Sequence, residues 1–218
     1  MICDTLTWSF DAVTSVPWLE VLKAAAPVAT AAIAFTALQN WRRQDRAKRE
    51  AEFLDQLVEV AHTFVDEMAA PLTHVQLTQA GFAGHAPSGD VADKATAGMV
   101  AYIMKRGEED SKRMLGVLNS IQPTAARLTA LTTKGQVFRF EEYEKCKAAA
   151  TRLALHFSRV QWFASMVGST MLNWENPEVR KAIGVLLDVD PEAISEDLKA
   201  SHAAILQFAT AAYRRLYG

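Results

Sequence analysis

Ala24–Trp41, AAAPVATAAIAFTALQNW, is a run without a charge in a chain where Asp, Glu, Lys and Arg make up 22%. Its 18 residues rise about 27 Å as a helix, just short of the ~30 Å hydrocarbon core of a bilayer. Extended back to Trp18 the helix reaches about 35 Å. Trp18 and Trp41 then stand at its two ends, as in the aromatic belts of membrane helices. Glu20 and Lys23 fall at i and i+3 near one rim, where they can pair and Lys23 can snorkel. Apolarity alone gives little. Only Val28, Ile33, Phe35 and Leu38 are strongly apolar, each favouring insertion by about 0.3 to 0.6 kcal/mol, and Thr30, Thr36, Gln39 and Asn40 oppose it.

The flanks tip the balance. Asp4, Asp11 and Glu20 precede the run, with no Lys or Arg before Lys23. Directly after it come Arg42, Arg43, Arg46, Lys48 and Arg49. That asymmetry obeys the positive-inside rule and predicts a single transmembrane helix over 16–41 with its C-terminal side in the cytoplasm. Residues 1–15 become a short extracytoplasmic tail. A secretory signal peptide carries its basic residues before the apolar run, so cleavage is not expected. The competing reading is an Ala-rich core helix of a soluble protein. Small residues recur at helical spacing, Ala25 with Ala29 and Thr30 with Ala34, and such rows let two membrane helices approach. A homo-oligomer is therefore one expected partner arrangement, beside the lipid bilayer itself and a protein partner of unknown kind.

Beyond the basic cluster, Phe53, Leu57, Val60, Ala61, Phe64 and Met68 recur every three or four residues among acidic neighbours. This pattern predicts that the first helix continues to about Pro71, giving a basic juxtamembrane and first cytoplasmic helix within 42–80. Gly81 to Gly89 reads as a loop, and Asp90 or Asp93 can cap the next helix. That helix is expected to break at Gln122-Pro123, with a turn at Lys134-Gly135-Gln136. A long helix over Phe140–Leu172, a short one from Pro177 and a last one started by Asp190-Pro191 complete the pattern. Nothing alternates with period two. The expected fold is all-α, an N-terminal transmembrane helix continuing into a cytoplasmic bundle of about four main helices, with 90–218 as the remainder of that bundle.

The order Trp18-Leu19, Pro27, Trp41-Arg42-Arg43 and a long acidic helix resembles an arrangement found at the start of many bacterial proteins of unknown function. It is similar to a type of architecture rather than a named family, covers under a third of the chain and implies no activity. It places the expected anchor in a bacterial inner membrane, with a cytoplasmic location as the alternative.

The search for chemistry returns little. Glu59 and His62 form an E-x-x-H on one helical face, but di-iron bundles need two such pairs and further carboxylates, and no second copy exists. A solvated charge pair is the simpler reading. Cys146 lies between Lys145 and Lys147, which would lower its pKa slightly, without an adjacent base. With two cysteines there is no disulfide framework. No G-x-S-x-G and no phosphate-binding loop occurs. No cofactor, metal or catalytic residue is expected, and a net charge of −2 argues against nucleic acid.

The residues expected to matter are thus Trp18, Lys23, Trp41, Arg42, Arg43 and Arg46 at membrane interfaces, and Ala25, Ala29, Thr30 and Ala34 for helix packing. The expected function is a membrane-anchored interaction or scaffold protein. Alternatives are a membrane-acting effector or pore, a tethered enzyme with a dispersed site, and a soluble helical binding protein.

Overall fold

A computed structural model describes the backbone of residues 18–88 and 93–217, and the side chains of these except 18–24 and 182. Every regular element among the described residues is helical. The chain divides into two compact units, Met1–Arg49 and Glu50–Gly218. Helix α1, Trp18–Glu67, belongs to both.

In the second unit, Phe53, Leu54, Leu57, Val60, Ala61 and Phe64 of α1 are buried, as the spacing of three and four demands. The ring of Phe53 packs on Phe138 and Phe140, and Phe64 on Phe157. Tyr213 donates to Asp55 and faces the carbonyl of Ala51. This half of α1 thus packs one apolar stripe into the bundle core. It ends at Glu67, close to the expected Pro71. Helix α2, Ala69–Gly84, follows after the single residue Met68. Pro71 is tolerated there because it falls in the first turn, where its missing N–H has no helical acceptor.

Asp93 caps α3, Lys94–Tyr102, accepting from the Thr96 N–H at 3.3 Å. Asp90, the other candidate cap, lies outside the described residues. A single π-helical segment, Ile103–Gly107, leads into α4, Glu108–Phe138. Gly107 there lies against the carbonyl of Val167 so closely that a Cβ would clash.

Helix α4 corrects two expectations, since it runs unbroken through Pro123 and through Lys134-Gly135-Gln136. Leu118, Ile121, Ala125, Leu128 and Leu131 are all buried on either side of Pro123. An interior proline costs about 3 kcal/mol, whereas burying one Leu or Ile contributes about 1.5 to 3 kcal/mol. The stripe outweighs the breaker. Gly135 is needed for another reason: the Tyr143 ring occupies the place of its Cβ, and the Tyr143 hydroxyl donates to the Thr132 carbonyl at 2.5 Å. The real turn comes later, with Arg139 and Glu142 both at positive φ.

Helix α5, Tyr143–Val167, is shorter than expected and stops before Gly168, which lies tightly against Ser111 of α4. Asn176 caps α6, Pro177–Ile183, and a 3₁₀ turn over Gly184–Leu186 follows. Asp190 starts α7, Pro191–Tyr217, accepting from the N–H groups of Glu192 and Ala193 at 2.9 and 3.0 Å. That start is as expected. Among the described residues the bundle has about five principal helices, where about four were expected: the second half of α1 with α2, α4, α5 and α7.

The transmembrane reading of 16–41 needs correction. Among the described residues no helix is long and apolar enough to cross a membrane. Ala contributes little, and the stretch from Ala25 meets Gln39, Asn40 and then Arg42 within about 25 Å of rise. The expected tail, 1–15, lies outside the described residues.

Candidate functional site

Two kinds of place could carry function: the first half of α1 and the polar contacts between bundle helices. From Ala25 to Gln44 every residue of α1 is exposed. Val28 is 69% exposed, Ile33 69%, Phe35 60% and Trp41 63%, with Leu38 also in the open. Ile33 lies about half a turn around the helix from Phe35, so apolar groups occur on opposite faces. The hydroxyls of Thr30 and Thr36 are turned inward, donating to the carbonyls of Ala26 at 2.8 Å and Ile33 at 2.9 Å. Their polarity is thereby partly withdrawn from the surroundings.

The expected packing residues Ala25, Ala29, Thr30 and Ala34 are exposed in the same stretch. Trp41, Arg42, Arg43 and Arg46 are exposed directly after it, and Arg49 pairs with Asp45 at 2.9 Å. The side chains of Trp18 and Lys23 lie outside the described residues. Arg42, Arg46 and Arg49, spaced by four and three, continue the row of Val28, Phe35 and Leu38 along one side of the helix. Apolar and cationic surface therefore abut within one element.

The bundle also exposes apolar side chains, among them Leu77, Val137, Leu155 and Met171. Leu77, Val137 and Leu155 are singles on otherwise amphipathic helices, and Met171 lies beside Leu172 in the turn after Val167; such exposure is ordinary on protein surfaces.

Glu59 and His62 do not act together. Glu59 faces Arg127 of α4 at 3.6 Å, while His62 Nε2 faces Asp66 at 3.3 Å. The His62 ring stacks on His202 of α7 with centroids 5.5 Å apart. The pKa of His202 is lowered, first by burial and then by the charge of His62, although Asp66 opposes this. His156 of α5 sets its Nε2 3.4 Å from Asp197 of α7. Burial still lowers its pKa, outweighing the carboxylate. The buried Nδ1 of His156 and Nε2 of His202 have no hydrogen-bond partner among the described residues.

No group of three or more His, Cys, Asp or Glu among the described residues could hold a metal ion. Cys146 is buried, and burial pushes its thiol up to about 12. The flanking lysines do not offset that burial, and a thiol so raised is a poor nucleophile at neutral pH. Cys3 lies outside the described residues.

At the π-helical segment, a cleft of about 390 Å³ is lined by Met104, Lys105, Arg106, Glu108, Glu109 and Lys112 among others. Asp110 alongside it accepts from Tyr102, whose pKa rises to about 12 through burial and that carboxylate. The lining charges are mixed, and Glu109 is already paired with Arg113 at 2.9 Å. Phe163 is fully buried core, whereas Trp162 beside it is partly exposed and Trp174 is half-buried against the core.

No family model, curated protein or solved structure matches this chain.

Proposed function

We propose that this chain is a membrane-tethered interaction protein, in which residues 25–41 of α1 enter a bilayer and the helical bundle serves partner binding. One observation carries the reading: a charge-free helical stretch exposes its large apolar residues on all sides. Burying each Val, Ile, Leu or Phe contributes about 1.5 to 3 kcal/mol, so leaving four of them and a Trp in water is costly. A helix apolar all round belongs in a core or a bilayer. An interfacial helix would show a charged face, which Ala25–Trp41 lacks.

The described apolar stretch rises about 24 Å, so a full crossing would draw on residues before Ala25 as well. Entry from one side needs only the stretch itself. The bundle supports a binding role over catalysis because its polar clusters, such as Tyr102, Arg106 and Arg113 around Asp110, pair charges with one another and bring no nucleophile beside a base.

Fractionation of cells expressing the full chain tests the tether. The expected result is sedimentation with membranes through an alkaline wash and release by detergent. A V28S/F35S/L38S variant should move to the supernatant. Recovery of the unaltered chain wholly in the soluble fraction would overturn the proposal.

A further inference from the structure

Resting on the membrane-tether reading, we infer that the segment selects anionic bilayers, with Arg42, Arg46 and Arg49 seated on negatively charged lipid headgroups. The geometry is a single helical row: Val28, Phe35 and Leu38, then the three arginines at spacings of four and three. The arginines cover about 10 Å along the axis, starting at the edge of the hydrocarbon core and running through the roughly 5 to 8 Å headgroup layer to its outer surface. Arg43 and Lys48 add to the same band, in which Asp45 pairs with Arg49 at 2.9 Å and which Glu50 and Glu52 follow. All five basic side chains are exposed. An apolar stretch placed in acyl chains brings these cations to the height of the lipid phosphates without any bending of the helix.

Charge also decides between occupants. A second copy laid parallel on this row would set Arg42 against Arg42 and Arg49 against Arg49, like charges directly opposed. A surface of lipid phosphates meets every one of them with the opposite sign. Nucleic acid would satisfy the arginines but leave Val28, Phe35 and Leu38 in water.

Each basic residue held near an anionic surface strengthens partitioning about fivefold. Cosedimentation of the full purified chain would be compared on vesicles of phosphatidylcholine alone and of phosphatidylcholine mixed with phosphatidylglycerol. The expected result is preference for the mixed vesicles. An R42Q/R46Q/R49Q variant should lose on the order of 100-fold in partitioning to the mixed vesicles and change little on phosphatidylcholine. At about 1 M salt, where the Debye length is about 3 Å, the preference should vanish. An R42K/R46K/R49K variant keeps the charge and should keep the preference, and far-UV circular dichroism checks that both variants retain their helices. Equal binding to both vesicles by the unaltered chain would overturn the selectivity and leave the tether standing. Loss of preference in the lysine variant as in the glutamine variant would overturn its electrostatic basis. Failure to bind either vesicle, including the case where the chain instead dimerises through this row, would overturn the tether and the selectivity together.

Discussion

Phe35 and Phe64 lie on the same helix, the first 60% exposed and the second fully buried. Their neighbourhoods differ in pattern more than in content. Around Phe64 the apolar residues keep to one stripe, with Glu52, Asp55, Glu59 and Asp66 covering the rest. Around Phe35 there is no polar stripe to face water and no charge until Arg42. A stripe can be buried by a bundle packed on one side; an all-round apolar helix needs an environment that surrounds it. The first half of α1 therefore lacks the one-sided stripe by which its second half is buried.

Truncating each ring separates the two environments. Phe64→Ala should cost about 3 to 5 kcal/mol in urea unfolding, whereas Phe35→Ala should stay within about 0.5 kcal/mol. Equal costs would make Phe35 part of a core. Next comes Gly135→Ala, which drives a methyl into the Tyr143 ring and disturbs its hydrogen bond to Thr132. It should cost about 1 to 3 kcal/mol by the same measurement, and a stabilising result would mean the helix contact is loose. Asp190→Ala removes the acceptor of two N–H groups at the start of α7 and should cost about 1 kcal/mol.

The smallest expected effect is a pH dependence confined to the bundle. His156 and His202 both titrate below the ordinary 6.5, principally because burial penalises the imidazolium. Around and below that pH the unfolded chain binds protons that the folded chain does not. Stability is therefore complete above about 6.5 and declines as the pH falls through it. Urea midpoints measured on either side of that value should show the decline, and an H156Q/H202Q variant should flatten it. A midpoint that rises on acidification would contradict the assignment.

The all-α class was legible because apolar spacing of three and four persists through most of the chain. The cap at Asp190 and the buried stripe of α1 were legible for the same local reason. Helix ends were less so. Pro123 and Gly135 are breakers locally, yet α4 passes both because its own leucine stripe is buried and the Tyr143 ring of α5 packs on it from outside. Helix α2 is not legible as a separate element, because Pro71 reads as a helix end and Gly81 as a loop start although both lie within it. The stack of His62 on His202 joins positions far apart in sequence, and no local spacing encodes it. The apolar stretch itself is visible at once in the sequence, but its alanines and its Thr, Gln and Asn residues leave no described helix long and apolar enough to cross a membrane.

Val137 on the bundle is 79% exposed and Phe35 on the first half of α1 is 60% exposed, so the two make a direct pair of reporters. A nitroxide placed at each position in turn, in a chain carrying Cys3→Ser and Cys146→Ala, would report its surroundings with and without anionic vesicles. The expected result is that the label at 35 becomes shielded from a water-soluble relaxation agent and accessible to dissolved oxygen, while the label at 137 stays in water. Identical, water-exposed responses at both positions would contradict the claim that the first half of α1 is the surface this protein uses.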